Sequence, residues 1–591
     1  MKKFGKRMEY GQSAMVKRMQ RSALPALLLI ILIAFVGQFY SWRFDLTDDH
    51  RYTLSPFTHR VLAEAQQPIY ITCYLGGTLP LEFARLRNGV QDLLEEYQYA
   101  SHYRLEFRFQ NPNEEVDPRK REAFRGKLIE RGVRPLTVQV QSSQGSAEET
   151  LIFPALSIAY AGRSTTLNIL SPNASLTSDE MIDLSLQTLE YGITATIEQL
   201  FTTRFPRIAL LQGHGELSPE HCVGLAEALA QRFAVERCDF PRHVGDLDTF
   251  RIVVCANPTQ TFTEQEKLIL DQYIMRGGRL MLLQSPVNVA VDSLMVGENT
   301  IALPQATNLE DLLFRYGVRL NPVVLQDAQC ALIPVNTALA GQPPRFTPRP
   351  WLYYPLLTPF AHSSITRGVN VVYSRFPSSI DLVGDGDSIG VVPLLSTSPM
   401  SRVLEAPRMV SLAEIVSPPP PQQLHQGQQL VGVLLDGSFP SGFTNRPLAA
   451  IAPDDRFTFR SRSRATRIAV FADGTLARNE MALRQGQPRP LPLGFDRYTQ
   501  QTFGNAELLA NVALALDGQD ELLSLRNRTI APRRLDQQAV VANRNVIILI
   551  NVALPLLLLV AGGGCYAWSR KRKYTQREEH KRSTQGGGAS N

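Results

Sequence analysis

Two uncharged apolar runs, each bounded on its outer side by a basic tail, constrain this chain of 591 residues more than any other feature. The first extends from Ala23 to Tyr40 and the second from Val546 to Trp568. A helix rises 1.5 Å per residue and needs about 20 apolar residues to cross ~30 Å of hydrocarbon, so both runs are predicted to span a bilayer. Phe39, Tyr40 and Trp42 close the first run, and Tyr566 and Trp568 close the second, as expected at headgroup depth. A cleavable leader is the rival reading of the first run, but no A-x-A-like site follows it.

Charge sets the orientation. Residues 1–21 contain Lys2, Lys3, Lys6, Arg7, Lys17, Arg18 and Arg21 against Glu9, a net of +6. Residues 569–591 contain Arg570, Lys571, Arg572, Lys573, Arg577, Lys581 and Arg582 against Glu578 and Glu579, a net of +5. Against a total of +6, the tails leave −5 for everything between them. The positive-inside rule places both tails in the cytoplasm, facing anionic headgroups, and about 500 residues from Ser41 to Asn545 outside. A mildly acidic centre has no field to hold a phosphate backbone, so no nucleic-acid partner is expected. Cys73, Cys222, Cys238, Cys255 and Cys330 lie in that outer region without CxxC or zinc-ligand spacing; one or two disulfides could form there, but buried free thiols are the simpler expectation.

Hydrophobic periodicity divides the outer region. After Pro68, Ile69 to Leu75 has the composition of a buried strand, and Leu81, Phe83, Leu86, Val90, Leu93, Leu94 and Tyr97 recur at helical spacing. A strand at 104–109, a helix at 118–131, strands at 136–141 and 151–160 and a helix at 178–202 follow, an order matching a thioredoxin-like layout. Gly76-Gly77-Thr78-Leu79 stands where redox cysteines would sit, so the unit is predicted to be a scaffold without thiol exchange. From Arg207, strands alternate with helices as in a doubly wound, flavodoxin- or Rossmann-like parallel sheet. Ser218 and Pro219 are read as N-cap and first position of one helix, Thr263 and Glu266 as a capping box, and Gly277-Gly278 as a helix stop. Residues 331–465 read as a mostly β insertion with short strands near 370–376 and 391–396 and an extended, mobile Pro-rich loop at 417–429. The α/β pattern resumes with a strand at 467–474 and helices at 476–482 and 505–516.

The expected organisation is therefore a tail at 1–21, a membrane helix at 22–41, a thioredoxin-like domain at 42–204 and a doubly wound domain at 205–330 and 466–524 interrupted by the insertion. A juxtamembrane stalk at 525–545, a second membrane helix at 546–568 and a tail at 569–591 complete it. No G-x-x-x-x-G-K-[ST] occurs, so this chain carries no phosphate cradle of that kind. Gly213-His214-Gly215-Glu216 follows the first strand of the second α/β unit, at the strand end where such sheets bind ligands. If the strand near Val470 lies beside it, Asp473 joins His214 and Glu216 as a ligand- or partner-contact cluster; the competing reading is a glycine turn with self-satisfied polar groups. Arg43, Asp45 and Arg51, just beyond the first apolar run, are candidates for juxtamembrane docking. No catalytic residue, metal or cofactor is assigned.

RFDLTDDHRYTLS after the first apolar run, LLQGHGE, TFTEQEKLILDQYIMRGGRLMLL and LRNRTIAPRRLD before the second run together resemble the gliding-motility-associated ABC transporter component GldG and the wider ABC-type auxiliary proteins. The resemblance covers nearly the whole chain through motif order and spacing. It implies a non-enzymatic inner-membrane auxiliary subunit with a large periplasmic region, working beside an ABC-2-type permease and a cytoplasmic ABC ATPase in gliding or surface export. The periplasmic region would meet cargo or a protein partner; the alternative is a membrane-tethered glycan- or peptide-binding protein.

Overall fold

A computed structural model describes residues 53–141, 147–170, 177–336, 338, 343, 345–384, 389–452, 457–484, 486–527 and 543–585. The first apolar run, Arg43, Asp45 and Arg51 lie outside the described residues, as does most of the stalk. The chain forms two units, residues 1–529 and 530–591. In the second, helix Arg544–Gln585 carries an apolar stretch, Val546–Ser569, of 24 residues and mean hydropathy 2.6. At 1.5 Å per residue it covers about 36 Å, enough to cross a bilayer.

The N-terminal part of the first unit begins with α1 (Pro56–Ala63), capped by the Ser55 hydroxyl. Next come β1 (Ile69–Cys73), α2 (Leu81–Ala100), β2 (Leu105–Phe109), α3 (Pro118–Glu130), the hairpin β3 (Leu136–Gln141) and β4 (Ala147–Ile152), β5 (Ala155–Tyr160), β6 (Arg163–Asn168) and α4 (Ser178–Phe201). Its sheet has the order β2-β1-β5-β6, with β1 and β2 parallel and the other neighbours antiparallel. Phe83, Leu86, Val90, Leu94 and Tyr97 of α2 are buried, as their spacing predicts, whereas Leu81 opens the helix exposed. Tyr97 reaches from this helix to α4, where its hydroxyl meets Thr194 Oγ1 at 2.5 Å. Cys73, Cys222 and Cys255 are buried free thiols. Burial pushes the Cys73 thiol up to about 12, away from any reactive thiolate.

The larger part is organised by one sheet. Its strands are β7 (Arg207–Gln212), β8 (Ala234–Asp239), β9 (Ile252–Ala256), β10 (Arg279–Leu283), β11 (Cys330–Asn336), β12 (Phe346–Pro359), β13 (Ile389–Ser396), β14 (Leu430–Gly437) and β15 (Thr466–Phe471), with Val372–Tyr373 pairing on β12. The order is β11-β12-β13-β14-β15-β10-β9-β7-β8. From β15 to β8 every pairing is parallel; from β11 to β15 every pairing is antiparallel. The 331–465 stretch thus adds its strands to the same sheet. Side-chain alternation divides the core between two faces. Ile208, Leu210, Val254 and Met281 join a cluster with α5 (Val223–Ala230) and α7 (Asn505–Asp517), while Ala209, Leu211, Val253 and Leu282 join α6 (Glu264–Met275).

Local signals decide several boundaries. Thr263 and Glu266 form both bonds of the capping box at α6. Ser218 does not cap a long helix: its hydroxyl meets His221 Nδ1 at 2.8 Å, and the segment starts as a 3-10 turn, Glu220–Cys222, before α5. The helix predicted at 476–482 is instead a 3-10 turn, Gly474–Ala477, followed by strand Met481–Arg484. Within the Pro-rich loop a 3-10 turn, Pro421–Gln423, interrupts the extended run, Leu424 is buried, and Gln426 bonds Ser401 and Val403 of the neighbouring strand.

Candidate functional site

The Gly213-His214-Gly215-Glu216 turn follows the buried strand β7 and is stitched to the turn after β9. His214 O accepts from Thr259 N at 2.8 Å and Gln260 N at 2.9 Å, and Leu217 N donates to Ala256 O at 2.9 Å. Gly215 has φ +72°, and a Cβ there would lie 2.1 Å from Thr259 Oγ1, so the close approach of the two turns requires glycine. The ring of His214 packs between residues of the segments that follow β8 and β9. It stacks 3.7 Å from Phe262 at 13° and meets Phe240 edge-on at 5.0 Å. Its Nε2 lies 3.2 Å from Glu266 Oε2, and Glu216 Oε2 accepts from the His214 backbone N–H at 2.7 Å. Burial works against ionisation of Glu266, yet hydrogen bonds from Thr263 and the nearby His214 hold its carboxyl below the usual range. His214 and Glu216 are therefore brought together, but as a buried wedge: the His214 side chain is 6% exposed and that of Glu216 3%.

Asp473 does not join them, because the condition on strand adjacency fails. Strands β10 and β9 intervene between β15 and β7, which separates the two strand ends by three spacings of ~4.8 Å, about 14 Å. Asp473 instead sits fully buried beyond β15, accepting from Ser374 Oγ at 2.5 Å, Thr475 N at 2.7 Å and Thr475 Oγ1 at 2.7 Å. Burial raises its carboxyl above the usual range despite these donors. The juxtamembrane trio Arg43, Asp45 and Arg51 lies outside the described residues.

The segments held by Asp473 line a different feature. Beyond the carboxyl ends of β9, β10 and β15, where Asn257, Ser285 and Thr475 stand, lies a cavity of about 1050 Å3. Open parallel sheets place ligand crevices at this rim, and the volume is at the upper end for a ligand site. The WLYYP run of β12 supplies Trp351 and Tyr354, and the 373–376 segment supplies Tyr373 and Arg375. Tyr354 packs edge-on against Tyr373 at 6.1 Å and Trp351 at 6.5 Å. Arg375 lies over Tyr354 at 5.4 Å and Tyr373 at 5.5 Å and is ion-paired with Glu480. Trp351 is 1% exposed, and its indole N–H has no acceptor among the described residues. Aromatic faces combined with guanidinium, hydroxyl and amide groups make a binding surface. No group of three metal-ligating side chains occurs among the described residues, and bond-making chemistry has no evident nucleophile–base pair there.

Sequence reasoning missed this cavity. Its walls come from stretches far apart in the chain, and strand order decides that they meet. The aromatic density of 351–354 and the Asp496-Arg497-Tyr498 triplet were the available signals.

A family model described as an ABC-type uncharacterized transport system matches residues 206–512, just over half of the chain, and a domain of unknown function (DUF7088) matches residues 48–159. An uncharacterized protein of Borreliella burgdorferi is 19% identical over 571 residues, covering 92% of this chain and 97% of its own. Among solved structures, the mmIFT52 N-terminal domain is 12% identical, with 52% of this chain and 96% of that one covered and a TM-score of 0.30. The exo-beta-1,4-mannosidase Op5Man5 from Opitutaceae bacterium strain TAV5 is 10% identical, covering 83% of this chain and 56% of its own, with a TM-score of 0.21.

Proposed function

The chain belongs to the family of ABC-type uncharacterized transport system proteins, and from that premise we propose that it is the inner-membrane auxiliary subunit of an ABC-2-type transporter, presenting a cargo cleft outside the membrane. The cavity of about 1050 Å3 at the sheet rim, inside the family-matched residues, carries this reading. The apolar helix Val546–Ser569 supplies one anchor, and Ala23 to Tyr40 is proposed as the other. Both basic tails then face the cytoplasm, where a separate ABC ATPase hydrolyses nucleotide, and the apolar helices pack against the permease.

Residues 42–204 act in this scheme as a thioredoxin-like scaffold; the order β2-β1-β5-β6 with one parallel pair supports that view. Residues 205–524 act as a flavodoxin-like platform, supported by the parallel order β8-β7-β9-β10-β15, with the antiparallel strands forming the far side of the cleft. The buried packing of His214 and Glu216 favours a structural part for them, which keeps the first turn of the platform closed. The resemblance in motif order to GldG supports gliding motility or surface export as the setting. A membrane-tethered glycan or peptide receptor without a transporter is the second reading, favoured by the aromatic lining.

Purification of the tagged full chain from its own membranes in mild detergent separates the two. Recovery of an ABC permease and ATPase in fixed ratio is expected; recovery of the chain alone under several gentle conditions would refute the transporter role.

A further inference from the structure

The residues after the 3-10 turn, Gly474–Ala477, run extended, with Arg478 at φ −89° and ψ 124°, so successive side chains point to opposite sides. Asn479 points into the fold. Its Oδ1 accepts from Gly224 N at 2.8 Å and its Nδ2 donates to Leu491 O at 2.6 Å. Arg478 and Glu480 consequently both line the cavity. Glu480 is taken up by Arg375, which the rings of Tyr354 and Tyr373 also hold. Arg478 is left over: among the described residues its guanidinium makes no hydrogen bond and no ion pair. Arg478 is exposed on the cavity wall, and partial desolvation and the like charge of the neighbouring Arg375 lower its pKa from the usual guanidinium value. Asp292, also on the cavity wall, opposes that push without forming an ion pair.

Two features of the same cavity restrict what could pair with this cation. A guanidinium offers paired donors in a plane and matches a carboxylate. The exposed aromatic side chains of Phe346 and Tyr498 on the cavity wall suit flat apolar ring faces, and Asn257, Ser285 and Gln305 add hydroxyl and amide partners around them.

Building on the reading of the cavity as a cargo cleft, we propose that it takes a carboxylate-bearing saccharide, with the acid on Arg478 and the sugar rings against the aromatic wall. The volume accommodates more than one sugar ring, so a short uronate oligomer fits better than a single residue.

Calorimetric titration of the full chain in detergent with trigalacturonate, neutral maltotriose and sodium acetate tests this. Trigalacturonate is expected to bind, at least about tenfold more tightly than maltotriose or acetate. Arg478→Gln should lose about tenfold, Arg478→Lys should recover part of that loss, and Asp292→Asn should gain roughly threefold. Binding should weaken as salt rises. The Arg478→Gln side chain leaves no bond unmade, so an unchanged urea midpoint should accompany its loss of affinity. Equal binding of maltotriose, or Arg478→Gln binding like the unmodified chain, overturns the role of the charge. Acetate binding as tightly as trigalacturonate overturns the saccharide, and binding of none of the three overturns the proposal entirely. Recovery of permease and ATPase is independent of all these results, so loss of the transporter reading and loss of this one are distinguishable.

Discussion

Replacing Asp473 probes the link between the sheet and the cleft, because this carboxylate ties the Ser374–Arg375 segment to Thr475 from beneath. In Asp473→Ala, the Thr475 N–H loses its acceptor at the start of a 3-10 turn, and the hydroxyls of Ser374 and Thr475 lose theirs. One cap and two further bonds at a fully buried site imply a loss of about 3–5 kcal/mol. Asp473→Asn behaves differently. An amide oxygen still accepts from Thr475, and the Ser374 hydroxyl can rotate to accept from the amide nitrogen, so the expected loss is below about 1.5 kcal/mol. The pH dependence has a definite sign. Burial raises the Asp473 pKa above its unfolded value of about 3.9, so the folded state holds the proton more firmly. Its contribution is complete below that unfolded value and declines as pH rises through the folded pKa. The difference in stability between Asp473→Asn and the unmodified chain should accordingly shift toward the asparagine variant as pH rises from about 4. Urea unfolding in detergent, read from Trp351 emission with Trp42 and Trp568 replaced by Phe, measures both effects. An alanine variant with an unchanged midpoint, or an asparagine variant as damaged as alanine with the same pH slope as the unmodified chain, would refute the reasoning.

Other perturbations follow from packing. A Cβ at Gly278 would lie 2.4 Å from the ring of Tyr273, whose hydroxyl is held by Phe250 O and Arg279 O, so Gly278→Ala should cost about 2–4 kcal/mol. At Gly126 in α3 nothing lies within 4 Å, and Gly126→Ala should stabilise by about 0.5–1 kcal/mol in the same urea assay. His214→Ala should lower stability by about 2–3 kcal/mol through its lost stack on Phe262, while affinity for trigalacturonate stays within about threefold; a loss of binding without a loss of stability would restore His214 as a contact residue.

The two α/β patterns were legible because their signals are local. Thr263 and Glu266 announce α6 within four residues, and Phe83 to Tyr97 marks the buried stripe of α2 by spacing alone. Strand order is a long-range property and was not. Nothing near Val470 says that β10 and β9 will intervene before β7, so the proximity of Asp473 to His214 could only be posed as a condition. The same limit hid the cleft, in which Arg375 and Glu480 pair across more than a hundred residues. Residues 331–465 read as a mostly β insertion because their Pro- and Gly-rich breaks dominate the pattern, but that pattern does not say which strand they join; hydrogen bonding of β14 to β15 adds them to the central sheet. A helix at 476–482 was suggested by composition. Asp473 caps only a single turn, because the backbone becomes extended at Arg478 and Asn479 is held by Gly224 N and Leu491 O.

Everything depends on the cleft-bearing region lying across the membrane from the basic tails. Val116 is 88% exposed in the first α/β part, and Lys571 is exposed just past the apolar stretch Val546–Ser569 of its helix. With Cys238, Cys330 and Cys565 changed to Ser, Val116→Cys and Lys571→Cys can each be treated in intact spheroplasts with a membrane-impermeant maleimide. Labelling of Val116→Cys alone, with Lys571→Cys reacting only after lysis, is the expected result. Equal protection or equal labelling of both positions before lysis would contradict the account.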